Sequence, residues 1–379
     1  MAISRGDIGP TETMKKSGEI VVSDPYKPLK HFILQALSFK QAGDSSQYDM
    51  LLEYVKDLQD GDGLIAKVLS QCVSQIDEKD HYQLLLQMFK PSLWKCSSEV
   101  QDALLEFTIH LVSANGRCVQ LCLEWLISNF FLPGRVPGSA AALAGGFTSS
   151  QEDCLARKEE VCEKLHGALQ KVIELVPTVH MRLVPLILRR KPYRLLDKEM
   201  QCLYLENVLR LARESTGTLS NRLLVVVVDH LVEIDVEIRW ELIMEEKSAK
   251  EILVFDVDLD DEQEPKEGDN NEWEVDLAKD GTEGAPGEEA ILAKGQGRGK
   301  SFNSQSLQTL DAMADKMDSI MEMTFEYVQR QTEAGRLSEA FDALIHSFKT
   351  TILHTYKAKF VQVKWETLLL VVTFVSPLT

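Results

Sequence analysis

The chain has 379 residues, with 41 Lys and Arg against 59 Asp and Glu, a formal net charge of −18, and 44% hydrophobic and 26% charged residues. That apolar share suffices to bury a core, and the length suits two to three domains or one long repeat array, so disorder throughout is excluded. The charge is concentrated: 16 acidic and 2 basic residues fall between Glu251 and Ala290, which leaves the rest of the chain close to neutral and assigns the acidity to one insert.

The opening residues lack the apolar core of a secretory leader. No stretch reaches the ~18–20 consecutive apolar residues of a membrane helix. Seven scattered cysteines, at Cys72, Cys96, Cys118, Cys122, Cys154, Cys162 and Cys202, read as reduced thiols. These features predict a soluble intracellular protein with no membrane partner.

In chain order, the first helix is marked by Leu29, Phe32, Ile33, Ala36 and Leu37, an apolar face of period 3.6. Tyr48, Leu51, Leu52, Val55 and Leu58 mark the second, which Gly61 and Gly63 end. Helices over Leu64–Ile76 and His81–Phe89 follow, the latter stopped by Pro91. Ser97 to Val100 opens another, with Leu104, Leu105 and Leu111 on its face, and Asn115-Gly116 turns the chain into Val119–Phe131. Residues 133–151 form a loop of Gly, Ala and Ser. Then come helices Glu159–Leu175, Met181–Leu188, Glu199–Arg213 and Leu219–Glu233. The run Leu223–Val228 is β-branched enough for a buried strand, but strong helical segments flank it, so it reads as a helix apolar on most sides.

Residues from about 247 to 306 are too acidic and Gly-rich to bury a core and are expected to be disordered; within them Ile252–Phe255 could form a docking strand. Helices resume at Leu307–Arg330 and Ser338–Tyr356. The expected class is therefore all-α. Helix pairs recurring at about 35–45 residues favour an α-solenoid of HEAT or armadillo-like pairs, with a globular bundle as the alternative. The divisions are a flexible N-terminus (1–25), helical repeats (26–246), the acidic insert (247–306), a further repeat (307–363) and a divergent apolar tail (364–379).

Chemistry-bearing motifs are few. Gly295–Ser301 has neither the spacing of a phosphate loop nor a preceding strand. Cys118 with Cys122, and Cys162 with His166, each stand i, i+4 on a helix and could join at zinc, although buried thiols also serve as small hydrophobes. No His lies in a hydrolase or metalloprotease motif, and the paired acids sit where nothing fixes their geometry. The expectation is no enzyme, no cofactor, no metal and no strong direct nucleic-acid site. The densest basic cluster is Arg189, Arg190, Lys191, Tyr193 and Arg194. At a helix C-terminus its charge is favoured by the macrodipole; it equally suits an acidic protein face or a nuclear localisation signal. Ser149, Ser150 and Thr178 are candidate phosphosites. The acids after the two serines suit an acid-directed kinase, and the same spacing suits a capping box.

The stretches CLEWLISNFFLPGRV from Cys122, HGALQKVIELVPTVHMRLVPLILRRKPYRLLDKEMQCLYLENVLRLA from His166 and LLVVVVDHLVEIDVEI from Leu223, then an acidic insert and ADKMDSIMEMTFEYVQ from Ala314, resemble the RNA polymerase I-specific transcription initiation factor family. The resemblance runs from about Pro28 to Gln362. It implies a non-enzymatic HEAT-repeat protein of the nucleus and nucleolus, found also in the cytoplasm. Such a protein would bind RNA polymerase I subunits, bridge them to promoter-bound core initiation factors for ribosomal RNA synthesis, and be controlled by phosphorylation. The closing sequence WETLLLVVTFVSPLT is unlike the family, so the chain reads as a shortened form. A general helical-repeat adaptor or transport scaffold is the alternative function, since fold alone does not choose.

Overall fold

A computed structural model describes residues 26–133, 153, 156–194, 196–238, 296–355 and 361, the side chains of 296–310 excepted. The described residues hold twelve α-helices: α1 (Lys27–Gln41), α2 (Ser46–Lys56), α3 (Leu64–Ser70), α4 (Tyr82–Met88), α5 (Ser98–Ala114), α6 (Val119–Ser128), α7 (Lys158–Leu175), α8 (His180–Arg190), α9 (Lys198–Glu214), α10 (Thr218–Glu237), α11 (Gln296–Glu333) and α12 (Leu337–Ser347). Odd-numbered helices pack in a continuous row, α1 on α3, α3 on α5, then α7, α9 and α11. Among the even-numbered helices α2 meets α4, while α6, α8, α10 and α12 follow one another. Contacts of α1 with α2, α5 with α6, α9 with α10 and α11 with α12 join the rows. Each helix thus buries one face on its row neighbours and another on the opposite layer, which is the stacking of a helical solenoid.

The clearest local-to-global link is α10. Its apolar run packs against α8, α9, α11 and α12, and Leu223, Leu224, Val226, Val227 and Val228 are all buried. The β-branched preference for strand is small per residue, whereas each such side chain gains about 1.5–3 kcal/mol on burial, so tertiary packing decides for helix. In α11 the buried positions Met317, Ile320, Met321, Thr324 and Val328 recur at the three- and four-residue spacing of one helical face. The Ser97 hydroxyl accepts from the Val100 amide (3.4 Å) to open α5, as its place before the apolar run predicts.

Several boundaries differ from the pattern-based ones. The predicted Leu64–Ile76 helix stops at Ser70 and is followed by a 3₁₀ turn, Val73–Gln75. Ile76 turns extended and buries its side chain, while its carbonyl accepts from Asn115 Nδ2 (3.2 Å) in place of a helical partner. Pro185 lies inside α8, as the predicted Met181–Leu188 helix requires; it is exposed there and water can reach the carbonyl left without a donor. The helix expected from Ser338 ends at Ser347 in a π-helical turn, Phe348–Ile352, and α11 begins at Gln296 rather than Leu307. Gly63 at φ +72° precedes α3, and a Cβ there would stand 3.2 Å from Ala103 Cβ, Glu99 O and Val100 Cα. Both the backbone conformation and the approach to α5 require glycine. Among the described residues no helix is long and apolar enough to cross a membrane.

Candidate functional site

The basic cluster closes α8. Arg189 and Arg190 occupy its last turn, and Pro192 disfavours helix for the residue before it; Lys191 accordingly leaves at ψ 134°. The Tyr204 hydroxyl donates to Ile187 O (2.7 Å), satisfying one of the carbonyls that a helix end leaves open.

The turn that follows is fastened from within. Gln201, fully buried on α9, donates from Nε2 to Arg194 O (2.9 Å) and Leu196 O (2.8 Å). Lys316 of α11, only 5% exposed, donates from Nζ to the same two carbonyls, and burial holds its pKa below the ordinary lysine value. Gln201 Oε1 faces His230 Nε2 at 2.7 Å. Because the amide nitrogen of Gln201 is spent on carbonyls, its oxygen accepts, and His230 must carry its proton on Nε2. Burial lowers the His230 pKa, which keeps the ring neutral. Glu233 completes the set, its carboxylate pairing with Lys191 Nζ at 2.6 Å. Three helices therefore hold the turn at Lys191, Arg194 and Leu196.

The same geometry distributes the charge. Arg189 pairs with Glu124 of α6 (2.7 Å), Lys191 with Glu233, and Arg194 with Glu237 (2.8 Å). The Gln120 side chain and the Arg189 guanidinium keep the Glu124 carboxyl below its ordinary value. Arg194 also lies over the ring of Tyr193, 5.3 Å from its centroid, and that ring is 52% exposed. Arg190, half-buried, faces an open cleft of about 520 Å³ lined by Phe89, Lys90, Trp125, Phe131 and Arg189. The predicted cluster is thus brought together, with three of its four cations already paired and Arg190 turned to the cleft. Lys90 and the aromatic lining were not identified from sequence, since a single lysine and scattered aromatics leave no local signal.

The remaining candidates separate. Thr178 is exposed in the 3₁₀ turn Pro177–Val179. Ser149 and Ser150 lie outside the described residues, as do the loop, the acidic stretch up to residue 295 and the tail. Cys118, Cys122 and Cys162 are buried, and desolvation pushes the Cys118 and Cys162 thiols up to about 11. His166 commits Nε2 to Asn207 Oδ1 (2.9 Å) and stacks on Phe130. Among the described residues no three His, Cys, Asp or Glu side chains come together as a metal site.

Residues 26–363 match the family model of the RNA polymerase I specific transcription initiation factor RRN3. Among curated proteins, the chain is 24% identical over 278 residues to the RNA polymerase I-specific transcription initiation factor RRN3 of Mus musculus, covering 70% of this chain and 42% of that protein. It is 27% identical over 212 residues to the factor rrn3 of Schizosaccharomyces pombe, covering 53% of this chain and 31% of that one. A crystal structure of RNA polymerase I transcription initiation factor Rrn3 aligns with a TM-score of 0.53 at 15% identity, over 91% of this chain and 59% of that one. That likeness shows the fold. The chain matches less than half the length of either curated relative.

Proposed function

The chain belongs to the RNA polymerase I-specific transcription initiation factor RRN3 family, and on that premise we propose that it binds RNA polymerase I and promotes its recruitment to ribosomal RNA gene promoters. The observation that carries this reading is the family match across all the described helices, joined to their two-layer stacking. It acts as a scaffold and catalyses no reaction. Its place of action is the nucleus and nucleolus, with a cytoplasmic pool. Promoter-bound core factors are its second class of partner, and phosphorylation at Ser149, Ser150 or Thr178 adjusts the association.

The braced turn Arg189–Arg194, with Arg190, Lys191 and Tyr193 between, is the proposed polymerase-contacting element. Rigid presentation of charge limits the entropy lost on docking, and surface charge mainly accelerates encounter. Reversing Arg189, Arg190 and Arg194 to Glu should slow association with purified polymerase I and flatten its salt dependence, with the helical circular dichroism unchanged. Unaltered association kinetics across a salt series would remove the turn from the interface.

A further inference from the structure

The cleft beside the turn joins its cations to Lys90 and an aromatic wall, which the polymerase reading does not use. One wall is the Phe89–Ser92 turn, a second is the C-terminal end of α6 with Phe131, and the third is Arg189–Lys191. Its aromatic side is fixed: Trp125 Nε1 donates to Pro91 O (2.9 Å), and its ring lies 5.3 Å from that of Phe89. Asn129 holds the walls together, its Oδ1 accepting from the Leu93 amide (2.9 Å) and its carbonyl accepting from Trp94 Nε1 (2.8 Å). The walls are thus locked before any ligand arrives.

The charge is one-sided. Arg189 and Lys191 have carboxylate partners at Glu124 and Glu233. Lys90, exposed, and Arg190, half-buried, have no carboxylate within ion-pair distance among the described residues, so net positive charge faces the opening. Two such cations beside a rigid aromatic wall, in which Phe89 is half-buried and Trp125 and Phe131 are mostly buried, form a site for a carboxylate-bearing chain that also offers an apolar side chain. Inorganic phosphate would leave the aromatic wall unmatched, and a folded acidic face would not enter a cleft of this size.

We propose that this cleft is a docking site for an extended acidic segment of another protein, one in which carboxylates flank a Phe, Trp or Leu. Lys90 and Arg190 take the carboxylates, Arg190 offering the planar fork that matches them, and the apolar side chain lies against Phe89 and Phe131. The proposal stands on the cleft alone and holds whether or not polymerase I carries the segment.

The test uses the full chain and a fluorescein-labelled synthetic peptide of alternating Asp and Glu around a central Phe, read by fluorescence anisotropy at about 0.1 M salt, where screening acts beyond roughly 10 Å. We expect saturable binding that weakens at least about tenfold, about 1.4 kcal/mol, in both Arg190→Gln and Lys90→Gln, and by a similar factor when the central Phe becomes Ala. Arg330→Gln, in the last turn of α11 and outside the cleft lining, should bind as the parent does. Both tested side chains lack an ion-pair partner among the described residues, so melting curves should overlay. No binding, equal binding by all variants, or indifference to the Phe overturns the proposal. A photo-crosslinker at Ser128 then identifies the occupant in cells: an acidic-aromatic segment of another protein that the synthetic peptide displaces supports it. A second copy of this chain, or this chain's own acidic stretch, contradicts it.

Discussion

Replacing Gln201 by Leu should loosen the basic turn while leaving the solenoid folded. Leu matches Gln closely in volume, so little cavity forms, and the loss is almost wholly polar. The His230 Nε2 proton loses its acceptor at 2.7 Å in a fully buried site, and an orphaned buried donor costs about 1–3 kcal/mol. The carbonyls of Arg194 and Leu196 lose one of two donors but keep Lys316, a smaller penalty. The sum is about 2–3 kcal/mol, expressed locally because a repeat array opens in parts. Amide exchange followed by mass spectrometry should show faster exchange across 191–196 and the N-terminal turn of α9, with α1–α5 unchanged. In the pair with Lys316→Met the losses should exceed additivity, since the two donors share acceptors. A destabilisation below about 0.5 kcal/mol, or exchange that rises uniformly along the chain, would refute the bracing.

Three further outcomes follow from the same physics. Gly63→Ala should cost about 1–3 kcal/mol, from a left-handed backbone and the 3.2 Å contacts with α5, whereas Gly116→Ala, with nothing within 4 Å of its Cβ, should be near neutral in urea denaturation. Asn129→Ala leaves the Leu93 amide buried without its acceptor, and the chemical-denaturation midpoint should fall by an amount worth about 1–3 kcal/mol. His166 is pushed down from 6.5 to about 4, chiefly by burial. The unfolded chain therefore takes up a proton below pH 6.5 that the folded chain refuses until about pH 4. Stability from this group is complete above 6.5 and declines as pH falls, by about 2 kcal/mol at pH 5; His166→Gln should remove that part of the slope, and an unchanged slope would assign it elsewhere.

Much of the fold was legible because its information is local. The apolar faces of α1, α2 and α5 recur at helical spacing, Ser97 caps where it should, and Pro192 ends α8. The Leu223–Val228 run was decided by its helical flanks, and the structure adds the reason, packing against four neighbouring helices that leaves only Val225 partly exposed. The break after Ser70 was not legible, because it depends on Asn115 taking the Ile76 carbonyl from a distant turn. The basic cluster could be found as a charge run, but its partners could not. Glu124, Gln201, His230, Glu233 and Lys316 lie on four other helices, and only the stacking of layers brings them to one loop. For the same reason the sequence shows four cations, while the fold pairs three internally and sets Arg190 in one cleft with Lys90.

The central claim is tested most directly by capturing the tagged full chain from nuclear extract at about 0.1 M salt, near physiological screening, and quantifying polymerase subunits by mass spectrometry. The account predicts that the subunits specific to RNA polymerase I are enriched over those of the other nuclear polymerases, and that the Arg189, Arg190 and Arg194 reversal lowers their recovery. Recovery of transport receptors or another polymerase, with polymerase I at background, would contradict it.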